Sequence, residues 1–266
     1  MPKITCGIAI LIFILLAGVA CQAPEKPAAK PAAKAETAAP PIEAASALET
    51  IQTGDQADIV DLLQSLSKER AGWAAGKFDS LYAPLWSLFV KSAAPDSGPG
   101  NSEMRTDLHN IFNFGNWYPL LGEFLAALKT PSLPPAVRQA AAEHLWRFAG
   151  KDKEKKNFAI PASDRPRIEA AVAELLLENK DLVILSTAVT PAALLEMKSA
   201  APRLKAIIVE QPFDNTETRA FRYTLGEALF SLGEVGPAVD VMRKLSDNKG
   251  DFSEEAADFL KDKHLY

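Results

Sequence analysis

Ser65 and Lys68 spell S-x-x-K, and Ser246 to Asn248 spell S-D-N. At a serine acyl-transfer site these residue types supply a nucleophile, a neighbouring base and a second polar cluster, but the chemistry also needs a K-T-G element. None follows them, and the two fragments stand far apart in the chain. Three-letter matches of this kind arise by chance. Of the three histidines, His109 and His264 have no acidic or cysteine partner at metal-ligand spacing. "DNKGD" is acidic but lacks the glycine and terminal glutamate of a calcium loop. There is no G-x-S-x-G elbow, no phosphate-cradling glycine loop and no dinucleotide fingerprint. The ionisable residues therefore predict no catalytic site, no metal and no cofactor.

Aromatic residues suit binding better. Trp73, Trp86, Trp117 and Trp146 all fall before Ala149, and "IFNFGNWYP" places Phe112, Phe114, Trp117 and Tyr118 beside Asn113 and Asn116. Large rigid rings are the usual anchors of a groove that takes a peptide or a partner helix. Phe112, Phe114, Trp117, Tyr118 and Trp86 are accordingly the candidate partner-binding residues. The competing expectation is that the same rings pack the core.

These side chains need a scaffold, and the bulk numbers bound it. The chain has 266 residues, 48% hydrophobic and 24% charged, which is globular composition. Its net charge of -5 argues against nucleic acid as a partner, because phosphate binding needs a basic footprint. Both cysteines, Cys6 and Cys21, lie at the extreme N-terminus, so the body has no disulfide and no cysteine-based metal site. Apolar burial must supply its stability.

The opening "MPKITCGIAILIFILLAGVAC" has Lys3 as a positive leader, an uncharged apolar run from Ile4 to Val19, and small residues before Cys21. That is the layout of a secretory signal. Its end, "AGVAC", resembles a bacterial lipobox, although Gly18 stands where leucine is commoner. The resemblance implies removal of residues 1–20, lipidation of Cys21 and an acyl-chain tether to the membrane. Gln22, rather than Asp, after the cysteine implies the periplasmic face of the outer membrane. The alternative is an uncleaved span, since the run is just long enough for one. Both readings leave the body on the same side, because Lys3 keeps the N-terminus cytoplasmic.

Residues 21–45 are almost wholly Ala, Pro, Lys and Glu after the cysteine. Such a segment has too little apolar surface to fold, and its prolines favour an extended tether. From Ser46 the pattern turns helical, as in "IVDLLQSL" with Ile59, Leu62, Leu63 and Leu66. A turn-rich break, "SAAPDSGPGNSE", follows at 92–103. Residues 46–116 read as an N-terminal helical region and 117–266 as a repeat region.

The repeat appears when "VRQAAAEHLWRFA", "IEAAVAELLLENK" and "FRYTLGEALFSLG" are aligned without gaps. Val137, Ile168 and Phe221 share one column; Ala141, Val172 and Leu225 the next apolar column; Leu145, Leu176 and Leu229 a third. Offsets of four place them on one helix face. Glu143, Glu174 and Glu227 form a further column, joined by Glu123 from "WYPLLGEFLAALK". They read as helix formers on a wet face, or as an acidic stripe toward a basic partner. His144 shares its column with Phe124, Leu175 and Ala228, so it is expected to fill packing space.

Trp117 to Ala149, with its "AVRQAAAEHLWRFA" second helix, resembles a HEAT repeat, and "GPAVDVMRKLSD" with "SEEAADFLKD" looks like the same unit again. The window "LGEALFSLGEVGPAVDVMRKL" also resembles a tetratricopeptide repeat at Leu225, Gly226, Leu229, Ala238 and Met242. Further expectations concern the helix ends. Thr190 caps a helix starting at Pro191, Asp214 and Glu217 form a capping box, and "KDKEKK" at 151–156 is a solvated loop. "DLVILSTAV" and "LKAIIVEQ", though rich in β-branched residues, read as buried helices because both flanks are helical.

The expected fold is thus all-α, an α-solenoid of HEAT-like hairpins after a signal peptide and a disordered linker. Such surfaces are broad and shallow, which suits binding. The expected role is a membrane-anchored envelope lipoprotein acting as a protein-interaction scaffold with an envelope protein partner. The alternative is a lipid- or glycan-binding carrier that uses the aromatic-rich half. Mass spectrometry of the mature protein checks the address: the expected N-terminal residue is an acylated Cys21, and an unmodified Met1 or Cys21 overturns it.

Overall fold

In the computed structural model, residues 42–94, 101–154, 158–178, 182–210 and 216–265 are described. The expected signal peptide, Cys21, most of the spacer, and Asp214 of the capping box lie outside them. Contacts group Ala44–Tyr266 into one compact unit. Among the described residues it holds thirteen α-helices and no strand, so the protein is all-α. No described helix is long and apolar enough to cross a membrane.

In chain order the helices are α1 (Ala44–Thr53), α2 (Gln56–Leu66), α3 (Arg70–Ala74), α4 (Tyr82–Ser92) and α5 (Asn101–Phe112). Then come α6 (Leu121–Leu128), α7 (Pro135–Glu154), α8 (Arg165–Glu178) and α9 (Leu182–Leu194). The last are α10 (Ala201–Glu210), α11 (Thr216–Ser231), α12 (Val235–Asp247) and α13 (Ser253–Asp262). α2 shows how local chemistry sets a boundary. The Asp55 side chain accepts N–H bonds from Ala57 (2.9 Å) and Asp58 (3.0 Å), satisfying two of the donors that a helix start leaves open.

Apart from the short α3, the helices pack as pairs that follow one another along the chain, and helices of one pair also meet the corresponding helices of the next. α1 lies on α4, α6 on α8, and α8 on α10. The Trp86 ring on α4 meets Phe124 on α6 edge-on at 4.9 Å. Lys205 on α10 reaches Glu234, just before α12, at 3.0 Å. In parallel, α2 lies on α5, α7 on α9, and α9 on α11. Phe112 on α5 meets His144 on α7 at 5.3 Å, and Phe230 on α11 meets Phe259 on α13 at 5.4 Å. Two rows result: α1, α4, α6, α8, α10 and α12 in one, and α2, α5, α7, α9, α11 and α13 in the other.

All nine residues of the three apolar columns are buried at 2% exposure or less. Their helices are nonetheless not equivalent. α7 and α11 belong to one row and α8 to the other. The columns mark a shared inward face, which explains why the Glu column advances unevenly, by 31 and then 53 residues. A more regular recurrence lies in the helix ends. The N–H of Met197 bonds Ala192 O, that of Glu234 bonds Leu229 O, and that of Leu265 bonds Leu260 O, each at 2.9 Å. Each closes a Schellman turn through a left-handed residue: Glu196 (φ 57°), Gly233 (φ 87°) and His264 (φ 55°). Thus α9, α11 and α13 all stop in the same way. Only the middle turn uses the residue that adopts this conformation without strain.

Three local expectations are corrected. α9 runs straight through Pro191, which is inside the helix rather than at its start. Pro191 cannot return an N–H to the carbonyl of Thr187, a defect worth ~3 kcal/mol in an isolated helix. Here α9 is enclosed by α7, α8 and α11, and that burial overrides the local break. Lys151 to Glu154 are the last helical turn of α7, not a loop, because Lys151 is bonded at its tip to the Gly115 carbonyl (3.3 Å). The break at 92–103 ends earlier than expected, since α5 begins at Asn101. The described parts of both β-branched segments, Leu182–Val189 in α9 and Leu204–Glu210 in α10, are helical, while Asp181 and Gln211 lie outside the described residues.

At the far end Arg219 on α11 ties down the α12–α13 connection. Its guanidinium donates to Asn248 O (2.7 Å), Asp251 O (2.7 Å) and Leu245 O (3.3 Å) while only 8% exposed. Arg219→Ala removes these charge-assisted bonds and leaves carbonyls without a donor. The expected result is a loss of about 3 kcal/mol in urea denaturation.

Candidate functional site

The candidate binding residues come from the middle of α4 (Trp86), the end of α5 (Phe112) and the connection that follows it (Phe114, Trp117 and Tyr118). The structure gathers them into one aromatic block. Trp117 stands 4.5 Å from Tyr82, 4.8 Å from Phe112 and 5.9 Å from Trp73. Trp86 stands 5.7 Å from Phe89 and 6.0 Å from Phe112. Trp86, Phe112 and Trp117 are 6%, 2% and 2% exposed, so these three rings face one another and not the solvent. The indole N–H groups of Trp73 and Trp117 donate to the Leu66 and Phe114 carbonyls.

Phe114 and Tyr118 are half-buried at the edge of the block. The Arg70 guanidinium lies 5.1 Å from the Phe114 ring centre, within cation–π range. The Tyr118 hydroxyl donates to Asp164 Oδ2 at 2.7 Å, and Arg167 donates to Asp164 Oδ1 at 3.0 Å. Burial, reinforced by that carboxylate, raises the Tyr118 hydroxyl above its ordinary range. The hydrogen bond from Tyr118 is the main reason the Asp164 carboxyl is lowered. Tyr118 thereby ties the aromatic block to the start of α8.

His144 occupies packing space within this block. It is 1% exposed and lies flat on Phe124, ring centres 4.2 Å apart and planes 5° apart. Glu143, next to it, departs from its expected wet position and is only 3% exposed. Its carboxylate accepts from Gln139 (3.1 Å) and stands 3.6 Å from His109 Nε2 and 3.7 Å from Arg147. Arg147 donates to Phe112 O and Asn113 Oδ1, both at 2.7 Å. The acidic partner that His109 lacks in sequence is thus supplied through space. A trace of this cluster is visible in the chain: Gln139, Glu143, Arg147 and Lys151 recur every four residues, a polar stripe along one side of α7.

The remaining members of the Glu column diverge. Glu123 is exposed and Glu174 half-buried. Glu227 is half-buried beside Tyr223; burial raises it to about 7, against the lowering effects of a Tyr223 hydrogen bond and nearby Lys263. The column therefore builds no continuous acidic stripe. Ser65 lies on α2 and its hydroxyl bonds Asp61 O within that helix (2.9 Å), while Ser246 lies on α12, in the last pair. The serine fragments do not form a site. Among the described residues no three His, Cys, Asp or Glu side chains stand together as a metal site.

Two surface features escaped sequence reading. Leu177, Val183 and Val209 are exposed at 68%, 49% and 87%, at the end of α8, the start of α9 and the end of α10. A groove of about 380 Å³ between α6 and α8 is lined by Leu125, Ala126, Lys129, Pro166, Arg167 and Ala170. Leu177 could have been suspected, since it stands outside the Ile168, Val172 and Leu176 column. The groove has no sequence trace, because it depends on which first-row helices become neighbours. No family model, curated protein or solved structure matches the chain significantly.

Glu227 generates a pH prediction. Its folded value lies above the ordinary 4.5, so its protonated form favours the fold fully below 4.5 and that contribution is lost as pH rises toward about 7. Glu227→Gln keeps the neutral form at every pH. In urea denaturation the stability of E227Q relative to the native protein should climb between pH 4.5 and 7 and then level off; a constant difference counts against a buried acid here.

Proposed function

We propose that the protein is a non-catalytic interaction scaffold, an α-solenoid held at the bacterial cell envelope by a lipid on Cys21. One observation supports this above the others: helices of one pair pack on the corresponding helices of the next, α6 on α8 on α10 and α7 on α9 on α11. Hairpins that contact chiefly their neighbours form an extended stack, and such a stack presents broad surface rather than a deep pocket. The Schellman stops at Glu196, Gly233 and His264, spaced 37 and 31 residues apart, fit a repeating hairpin of that length. The close approach of Gly226 to Met242, where a Cβ would stand 2.7 Å from the Met242 methyl group, favours the tetratricopeptide-like resemblance over the HEAT-like one for α11 and α12.

The lipid- or glycan-carrier reading uses the aromatic half. The mutual packing of Trp86, Phe112, Trp117 and Phe124 weighs against it, because a ligand there must first displace rings that fill one another's space. Among the described residues, surfaces open to a partner include the α6–α8 groove, the rim at Phe114 and Tyr118, and the exposed Leu177, Val183 and Val209.

Crosslinking in intact cells, followed by recovery of the protein, tests the reading. The native chain should capture a defined envelope protein, and Cys21→Ser should lose it through release from the membrane. Recovery of a bound small molecule with no protein crosslink supports the carrier and overturns the scaffold.

A further inference from the structure

The junction between α5 and α7 carries an inference that is independent of the partner. Four polar contacts cross it: Arg147 to Phe112 O and to Asn113 Oδ1, Lys151 to Gly115 O, and His109 Nε2 of α5 at 3.6 Å from the Glu143 carboxylate of α7. Between them sits His144, sandwiched by rings from three elements: Phe124 of α6 at 4.2 Å, Phe112 of α5 at 5.3 Å, and Trp117 at 5.8 Å. Its Nε2 has no hydrogen-bond partner in this box. We propose that this junction is an acid-sensitive joint, in which a proton on His144 parts α5 from α7 and uncovers the ring faces of Phe112, Trp117 and Phe124.

The charges around the box explain why a proton there is disruptive. On α7, Arg147 and Lys151 are cationic, and His109 of α5 can only add positive charge. Glu143, next to His144 in the chain, is an acid, but its carboxylate already faces Gln139, His109 and Arg147. Elsewhere on α5, Arg105 donates to the Ser92 carbonyl, and Asp107 is raised by burial and by Glu103, with Lys68 opposing. α9, packed on the other side of α7, has no ionisable side chain in "LVILSTAVTPAAL". Glu123 on α6 is exposed, and Tyr82 behind Trp117 is pushed up to about 12 by burial and stays neutral. A protonated imidazole would thus be buried among cations. The Phe124 face returns less to a cation than loss of water takes away.

Burial first, then Arg147, His109 and Lys151, hold His144 well below the ordinary histidine value of 6.5. The sign follows. Above 6.5 neither form of the joint takes the proton, and the closed form has its full stability. Below 6.5 the parted form binds a proton that the closed form refuses, so the open-to-closed ratio rises by up to about tenfold per pH unit. The device differs from general acid unfolding because it acts at one joint: His144 is buried there, His109 is half-buried at the same joint, where burial lowers it too, and His264 is exposed at the far end.

Hydrogen exchange of the full chain between pH 8 and 4, read helix by helix with binding of an apolar dye, tests the joint. The expected result is loss of protection in α5 and α7, with dye uptake, at a higher pH than in α11 to α13. His144→Phe, which keeps a ring in the box, should move that local transition to lower pH by ~0.5 unit or more. His264→Gln, exposed at the far end of the chain, should leave it near its native position. Loss of protection in all helices at one pH, or an unchanged transition in H144F, overturns the proposal. Should H144F fail to fold, the imidazole proton resonance of His144 in the native chain decides: titration well below the ordinary histidine range supports the joint, and titration within that range overturns it.

Discussion

A second-row helix such as α9 is apolar on too wide an arc to be covered by its own hairpin partner. Ile184, Leu185, Ala188, Val189 and Ala192 are all at 3% exposure or less, and they point to more than one neighbour. That single constraint organises the molecule. A helix that is hydrophobic nearly all round is stable only inside a layer, with neighbours before and after it as well as beside it. α7, α8 and α11 supply those neighbours. The same requirement explains why Pro191 is tolerated, why the β-branched run from Leu182 is helical, and why the apolar columns of α7, α8 and α11 are sealed so completely.

How much was legible follows from which interactions are local. The inward faces were legible, because a face needs only four-residue spacing within one segment. The limits of α13 were legible too: "SEEAADFLKD" coincides with Ser253–Asp262. Row membership was not, because Val137, Ile168 and Phe221 carry the same pattern whichever row their helix joins. Glu143 was misjudged for a related reason. Its wet or dry state depends on His109 and Arg147 arriving from two directions, and only the Arg147 spacing can be read along the chain. The extent of α7 was missed because charge in "KDKE" suggests solvent, whereas Lys151 ends on a carbonyl of the preceding connection.

The aromatic residues show the same division. Their density before Ala149 marked something special, and the sequence allowed either a groove or a core. Ring-to-ring geometry decides where each sits: Trp86, Phe112 and Trp117 inside, Phe114 and Tyr118 at the edge. The block does mechanical work in that place. It joins α4, α5 and α6 through contacts that no backbone hydrogen bond provides, and Tyr118 extends the join to Asp164 at the start of α8. Large rings are suited to this because they cover much area with few rotatable bonds.

Every substantial helix contact joins elements of one pair or of adjacent pairs. A chain with that wiring has short loops to close and no distant segment to wait for. The first pair can order while the last is still unwritten, and each new pair lands on a finished template. As the chain emerges from its ribosome, assembly can then keep pace with synthesis, and the span of exposed apolar surface at any moment is that of one hairpin.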